Sequence, residues 1–359
     1  MAHLFDSYSI RGVELRNRIA VSPMCEYSSV DGFANDWHVV HLGSRAVGGA
    51  GLVVTEAAAV SAVGRITPGD LGIYRDEHAT KLAPIVDFIA AQGAVPGIQL
   101  AHAGRKASCA TPWEGGAPLE PSAGAWQTLA PSAIPFTPGA EAPRAMDEAD
   151  IAALVRDFAA AAERALRAGF RVVELHAAHG YLLHEFLSPL CNERTDRYGG
   201  SFENRTRLLR EVAAAAREVL PDDVPLFVRI SATDWADGGW TVDESVRLAR
   251  ALGPLGVDLI DVSSGGAVLH QKIDVRPGYQ VPFAERIRAE SGVATGAVGM
   301  ITEPHQADDI VRSGQADLVL LARELLRDPY WPLHAALALD VDVPWPVQYG
   351  RAKRVASRV

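Results

Sequence analysis

The chain has 359 residues, 48% of them hydrophobic, and a formal net charge of −10, which is enough for one large domain or two ordinary ones. The acidic balance argues against a nucleic-acid partner, which needs a basic face. No run is apolar and long enough to cross a membrane, and the first residues lack a signal-peptide core. Three scattered cysteines, Cys25, Cys109 and Cys191, are too few for a disulfide framework or an iron–sulfur cluster, so a reduced cytoplasmic protein is expected.

Eight short, almost continuously apolar runs recur along the chain, as is typical of parallel strands covered by helices. In chain order they are IAVSPM, GLVVTEA, GIQLAH, VVELHA, LFVRIS, LIDVSS, VATGAV and LVLLAR. Helical patterns lie between them, including one over 201–220, and those at 76–93 and 147–169 open with acidic residues and close at glycine. The alternation predicts a (β/α)8 TIM barrel, a single domain over 1–359. The alternative, a doubly wound sheet, is weakened because no G-x-G-x-x-G follows a strand.

One stretch departs from this rhythm, from Ala103 to about Arg144, after the third strand. It is rich in Pro, Gly and Ser and carries Trp113 and Trp126. Loops of this length are usually lids, interface segments or disorder, and two tryptophans argue against disorder. We therefore expect a long capping loop that packs over the barrel mouth.

Active sites of such barrels lie at the carboxyl ends of the strands. Polar and reactive side chains follow most of the eight runs. They are Ser22, Cys25 and Tyr27 after the first, Glu56 after the second, Gln99 and His102 in the third, His176, His179 and Tyr181 in the fourth, Arg229 in the fifth, Ser263 and Ser264 in the sixth, and Arg323 in the eighth. Amide, imidazole, thiol, phenol and guanidinium groups are thus expected at one mouth.

Three chemistries are compatible with this set. His176 and His179 could bind a metal, but other ligands are sparse, so no metal is expected. Cys25 could be a nucleophile with a histidine as base, although no third member is evident. A flavin fits better, because Gln99 can donate and accept at the ring edge and Arg229 can stabilise the negative charge of the reduced ring. Gly299 and Arg323 could then hold a phosphate.

Several of these segments together resemble the Old Yellow Enzyme family, in the branch of the thermophilic-like ene-reductases and xenobiotic reductases. The segments are LRNRIAVSPMCEYSS, GIQLAHAGRKAS, ELHAAHGYLLHEFLSPLCNERTDRYGGSFENR, FVRIS, ATGAVGMIT and LLARELLRDPYW. The resemblance implies an FMN-containing barrel that takes a hydride from NADPH or NADH. It also implies that the hydride passes, in a ping-pong reaction, to an activated alkene such as an enone, a maleimide or a nitro compound.

The resemblance also implies a role for each matching residue. Ser22, Pro23, Met24, Cys25, Ala57, Gln99 and Arg229 would line the flavin, and Gly299, Ala322 and Arg323 would bind its phosphate. His176 and His179 would bind the substrate oxygen, Tyr181 would donate the proton, and Tyr27 would line the substrate pocket. Ala322 stands where family members often have Gly, but its backbone N–H is kept.

The C-terminal PVQYGR resembles the segment by which this branch donates an arginine to a neighbouring subunit. Arg351 would be that residue, the segment of about 340–359 would lie at a subunit interface, and a homodimer or homotetramer with shared active sites is expected. Two alternatives stay open: a flavoenzyme that oxidises its substrate, or reduces one of the dihydropyrimidine type, and a ligand-binding barrel without turnover.

Overall fold

Eight parallel strands close into a barrel in the computed structural model, which describes residues 2–353. The barrel strands are β3 (Ile19–Val21), β4 (Leu52–Ala59), β5 (Val95–Ala101), β8 (Val172–Ala177), β9 (Leu226–Ser231), β10 (Leu259–Ser263), β11 (Ala294–Ala297) and β12 (Leu318–Leu321). Each pairs with its neighbour in chain order, and β12 pairs with β3 to close the ring. The predicted TIM barrel and its eight strands are confirmed. The first strand is shorter than predicted, because it ends at Val21 and residues 22–24 of the predicted run follow it without regular secondary structure.

The helices surround the barrel and bury their apolar faces against it. They are α1 (Asp36–Val47), α2 (Asp76–Ala91), α3 (Glu148–Arg167), α4 (Leu182–Leu187), α5 (Phe202–Arg205), α6 (Arg207–Val219), α7 (Val242–Leu252), α8 (Val281–Ser291), α9 (Pro304–Arg312), α10 (Arg323–Arg327) and α11 (Trp331–Ala338). Asp147 and Thr241 cap α3 and α7 through capping boxes, which satisfy the free N–H groups of the first turn. The continuous helix predicted over 201–220 is divided at Thr206 into α5 and α6.

A hairpin of β1 (Tyr8–Ile10) and β2 (Val13–Leu15) covers the amino-terminal end of the barrel. Its apolar residues pack with the first residues of the strands, among them Leu52, Val172 and Phe227. These three-residue strands are too short for an apolar period to be recognised in the sequence. The hairpin closes the end of the barrel opposite the predicted site.

The long segment after β5 contains three single turns of 3-10 helix and the two-residue strands β6 (Leu129–Ala130) and β7 (Arg144–Ala145). It packs against the site end of the barrel, since Trp126 and Phe136 line a cavity there together with Tyr27 and Tyr181. The expected capping loop is present. No helix among residues 2–353 is both long and apolar enough to cross a membrane.

Candidate active site

The turn after β8 presents the two histidines and the tyrosine singled out in the sequence. His176 lies near the end of β8, and His179 and Gly180 follow with φ of 61° and 70°. Only glycine fits at 180, because a Cβ there would lie 2.1 Å from the backbone oxygen of Gly266. Tyr181 then begins α4 as its N-cap residue. The left-handed conformation of His179 and Gly180 therefore connects β8, which carries His176, to Tyr181 at the start of α4.

Side chains from neighbouring elements hold the backbone of this turn. Ser231 Oγ of β9 accepts the His179 N–H at 2.9 Å, and His184 Nδ1 of α4 accepts the Gly180 N–H at 2.8 Å. His184 Nε2 is in turn 3.0 Å from the fully buried carboxylate of Asp234. The strained conformation of His179 is thus stabilised from outside the turn.

The two imidazoles and the phenol form one cluster. The ring centroid of His176 is 5.2 Å from that of His179 and 5.0 Å from that of Tyr181. Burial, with a further contribution from the Arg229 charge, holds the pKa of both histidines well below the usual value. Burial raises the pKa of Tyr181 well above its usual value. At neutral pH the cluster therefore offers two neutral imidazoles and a protonated phenol.

The hydrogen bonds of the two imidazoles differ. Neither ring nitrogen of His176 bonds any described residue, and its buried Nδ1 is left without a partner. His179 Nε2 lies 2.6 Å from Ser263 Oγ, at the end of β10. His176 is therefore free to bond a ligand, whereas a ligand at His179 Nε2 would compete with Ser263.

Cys25 and Tyr27 face this cluster from the segment after β3. Burial is the main reason that the pKa of the Cys25 thiol is well above its usual value, and the charges of Asp70 and Glu56 add to it. The thiol is therefore neutral at pH 7, which does not favour an activated nucleophile. Tyr27, at φ 48°, lines the mouth cavity together with Tyr181.

Gln99 and Arg229 lie deeper, on strands that flank β8. Gln99 is paired in register with Glu174 of β8, and Arg229 with His176 of β8 and Asp261 of β10. Both side chains are at least 95% buried. No described residue accepts a hydrogen bond from the terminal nitrogens of Arg229, so these donors are available to a ligand in the barrel. Ala57 of β4 is the register neighbour of Gln99 on its other side.

A second cavity of 260 Å³ lies between the ends of β11 and β12 and is lined by Gly299, Ala322 and Arg323. Gly299 has φ 121°, and a Cβ there would lie 2.8 Å from Gln280 Nε2, so only glycine fits. Arg323 is exposed, so its guanidinium can bind an anion that enters this cavity from solvent. The three residues expected to bind a phosphate therefore share one cavity.

The mouth cavity has a volume of 340 Å³ and lies between Tyr27, Tyr181 and the capping loop. Lys106, not singled out in the sequence, lines it and donates to the backbone oxygens of His179 at 2.7 Å and Gly266 at 2.6 Å. Burial lowers the pKa of Lys106 to about 8. Its only sequence signal was its place directly after Arg105 in HAGRKA, next to the predicted cofactor strand.

The remaining residues of the predicted site have different placements. Ser22, Pro23 and Met24 form the segment directly after β3, and the buried Ser22 Oγ has no partner among the described residues. Arg351 is exposed in the final turn, at Val347–Ala352, and lines neither cavity of its own chain. The proposed interface segment continues through 354–359, which lie outside the described residues.

The two cavities and the polar groups between them fit a flavin mononucleotide. The Gly299 and Arg323 cavity suits an anionic end, because backbone can approach closely and a guanidinium is at hand. The free donors of Arg229 and the buried, unpaired atoms of Ser22 and His176 are polar groups that a polar ring edge could satisfy.

Comparison with known proteins agrees with this site. The profile of the NADH:flavin oxidoreductase / NADH oxidase family matches residues 3–341. The chain is 52% identical over 353 residues to an NADPH dehydrogenase of Geobacillus sp. (strain WCH70), covering 98% of each protein. It is 49% identical over 350 residues to the NADPH dehydrogenase of Bacillus subtilis (strain 168), covering 97% of this chain and 98% of the relative.

Solved structures agree with these relatives. Morphinone reductase in complex with tetrahydroNAD superposes with a TM-score of 0.79 at 26% identity, over 97% of this chain and 94% of that one. The profile match and the identities to NADPH dehydrogenases extend over nearly the whole chain. The chain therefore belongs to the Old Yellow Enzyme family, and it is an oxidoreductase with FMN as cofactor and a nicotinamide dinucleotide as hydride donor.

Proposed function

We propose that the protein is an ene-reductase, which reduces the C=C bond of an enone, a maleimide or a nitroalkene at the expense of NAD(P)H. The observation that carries the proposal is the cluster of two neutral imidazoles and one protonated phenol beside the mouth cavity. This set suits a substrate that gains negative charge on an oxygen and then takes up a proton on carbon.

Bound FMN would supply the redox chemistry, by accepting a hydride from NAD(P)H and passing it to an electrophilic carbon. His176 and His179 would bind the carbonyl or nitro oxygen of the alkene. As neutral imidazoles they can each donate one hydrogen bond, which strengthens as the oxygen becomes negative. Cys25, close to the ring position implied by the family, would contact the flavin and the substrate.

Tyr181 would donate the proton to the α-carbon. Its raised pKa keeps the hydroxyl protonated at neutral pH, so the proton is available when the alkene has received its hydride. No described residue takes the Tyr181 hydroxyl as a hydrogen-bond partner, which leaves it free to turn toward the mouth cavity. Tyr27, which lines the same cavity, would bound the substrate on the other side.

Arg351 would act in a neighbouring subunit of a homodimer or homotetramer. Three facts support this role: the residue is exposed, it lines neither cavity of its own chain, and Val347, at the start of the same turn, is 89% exposed. Arg351→Ala should therefore raise the KM for the alkene without changing the rate of flavin reduction in the dimer.

The experiment for the reaction is an anaerobic absorption spectrum of the purified protein, recorded before and after NADPH and then after cyclohexenone. Bleaching by NADPH followed by recovery with the enone is the expected result. A flavin that bleaches and never recovers with enones, maleimides or nitroalkenes would keep the cofactor and overturn the alkene as substrate.

Tyr181→Phe tests the proton donor. We expect flavin reoxidation by cyclohexenone to slow about 100-fold, because general acid catalysis contributes on this scale. Flavin reduction by NADPH, measured by stopped flow in the same variant, should stay within about twofold, since it needs no proton from a phenol. Unchanged reoxidation would remove Tyr181 as the acid.

A further inference from the structure

Four buried polar side chains from neighbouring strands form a polar layer inside the barrel, next to His176. They come from successive strands, namely Gln99 of β5, Glu174 of β8, Arg229 of β9 and Asp261 of β10, and each is at least 95% buried. Glu174 and Asp261 lie too deep to touch a substrate in the mouth cavity, and neither has a role in the reaction proposed above. Buried carboxyl groups are costly, so their place beside Gln99 and Arg229 needs a reason.

Within this layer Glu174 and Gln99 are directly bonded. Gln99 Nε2 donates to Glu174 Oε1 at 2.7 Å, whereas the other oxygen of Glu174 has no partner among the described residues. The strands pair in register at these two residues, so the contact is set by the barrel itself. With its nitrogen held below, the Gln99 amide must point its carbonyl oxygen Oε1 away from Glu174.

Arg229 is anchored in a similar way by the second carboxylate. Its Nε lies 3.0 Å from Asp261 Oδ2, an ion pair whose angles are not those of a hydrogen bond. The guanidinium is thereby oriented with its terminal N–H groups free. The layer thus offers one fixed acceptor, from Gln99, and one fixed set of donors, from Arg229.

This pair is complementary to the pyrimidine edge of an oxidised flavin. That edge carries a single N–H donor, at N3, between two carbonyl acceptors. An arginine can only donate, so it must take an acceptor position. A glutamine whose amide is held through one N–H presents its carbonyl oxygen to N3–H, and its second N–H remains for a neighbouring ring carbonyl. A glutamine free to turn could equally present its NH2 group to a carbonyl of the ring.

We propose that Glu174 is a positioning residue for the cofactor: it holds the Gln99 amide so that its carbonyl oxygen faces flavin N3–H. The inference depends on FMN as the cofactor and is independent of the alkene. Burial raises the pKa of Glu174, opposed by the Arg229 charge. A protonated carboxyl still has a carbonyl oxygen that can accept from Gln99 Nε2.

The test compares FMN with 3-methyl-FMN, in which a methyl group replaces the N3 proton. The dissociation constants of both flavins are measured by fluorescence quenching on reconstitution of the full-length apoenzyme. In the wild type we expect 3-methyl-FMN to bind at least tenfold more weakly than FMN, the scale of one lost hydrogen bond in a buried site. The informative quantity is the dissociation constant of 3-methyl-FMN divided by that of FMN, called the ratio below. A general loss of stability does not change this ratio.

Glu174→Leu keeps the approximate volume and removes the acceptor. We expect FMN to bind about tenfold more weakly and the ratio to fall about tenfold, because the released amide can turn its NH2 group toward the ring. Glu174→Gln, which retains an acceptor oxygen, should recover most of the wild-type affinity and ratio. If Leu and Gln variants show the same ratio as the wild type within twofold, the proposal is overturned.

Thr295→Val is the matched control for a buried polar-to-apolar change in the barrel. Thr295 lies on β11, fully buried, and its hydroxyl has no partner among the described residues. The Thr295→Val variant should show the same ratio of dissociation constants as the wild type. If Glu174→Leu does not fold, Glu174→Met is measured in its place, and a ratio within twofold of the wild-type ratio then overturns the proposal.

Discussion

The two halves of the barrel interior are built from the same strands but from different chemistry. Read in steps of two, which keeps to one face of a strand, β8 runs Val172, Glu174, His176, and β9 runs Phe227, Arg229, Ser231. The first residue of each series packs in the apolar cluster with the β1–β2 hairpin. The later residues form the polar layer and the mouth.

The two halves of the barrel interior contribute differently to the free energy of folding. Burying apolar area stabilises the fold by about 25 cal/mol per Å². Burying carboxyl, guanidinium and imidazole groups costs free energy unless each is fully paired. Because several polar groups of the mouth half lack partners, we attribute its composition to ligand binding, whereas the apolar residues of the amino-terminal half contribute to stability.

Phe227→Ala should have the largest effect on stability, because it opens a cavity in the apolar half. Phe227 is 2% exposed, and such truncations cost about 3–5 kcal/mol. Urea unfolding in excess FMN measures the loss. The dissociation constant of FMN for the folded protein should change less than threefold, and a large loss of FMN affinity would mean that the two halves are not separable.

The buried imidazoles of the mouth half should make the free energy of unfolding depend on pH. Folded His176 has a pKa well below its usual value, whereas the unfolded imidazole titrates near 6.5. Below about pH 6.5 the unfolded state therefore binds a proton that the folded state does not, and stability falls as the pH falls. The slope is up to about 1.4 kcal/mol per pH unit.

His176→Gln removes the contribution of this imidazole to the pH dependence. Between pH 6.5 and 5 the variant should therefore lose less stability than the wild type, by up to about 2 kcal/mol in total. Above pH 6.5 the two curves should be parallel. His305→Gln, which removes an exposed imidazole on α9, is the control and should parallel the wild type throughout. Parallel curves for His176→Gln would show that this imidazole is solvated rather than buried.

The smallest effect concerns the capping loop over the mouth. Trp126 donates from Nε1 to the Val63 oxygen at 3.0 Å, and the Arg65 guanidinium lies 5.4 Å from its ring centroid. Trp126→Phe loses the hydrogen bond, about 1 kcal/mol. Amide hydrogen exchange in 108–130 should rise about fivefold while the barrel strands are unchanged.

Trp113→Phe is the matched change in the same loop. Trp113 is 68% exposed, and its nearest aromatic contact is an edge interaction with Tyr27 at 6.0 Å. It should leave exchange almost unaltered. Equal effects of the two substitutions would mean that the loop is not tethered through Trp126.

Much of the fold could be predicted because its signals are local. The apolar runs marked all eight strands, and acidic starts with glycine ends marked helices such as α2 and α3. The break at Thr206 was missed because the helical pattern of 201–220 is continuous on either side of it. The β1–β2 hairpin was missed because strands of three residues carry no readable period.

The candidate site was predicted less evenly. His176, His179 and Tyr181 lie within six residues, so their proximity is a local property of one turn, and its left-handed geometry is marked only by Gly180. Ser263 was noted only as one of the polar side chains at the strand ends, and Lys106 and Glu174 were not singled out. Glu174 lies inside the apolar run VVELHA and reads as part of a strand.

Local sequence patterns were therefore sufficient to predict the alternation of strands and helices, the barrel, and the short motifs at its strand ends. These follow from hydrophobic periodicity and capping, which act over a few residues. The contacts of Gln99 with Glu174, 75 positions away, and of His179 with Ser263, 84 positions away, became known from the folded chain alone. Such pairs depend on strand register and barrel closure, which bring distant side chains into a common layer and are not encoded near either residue.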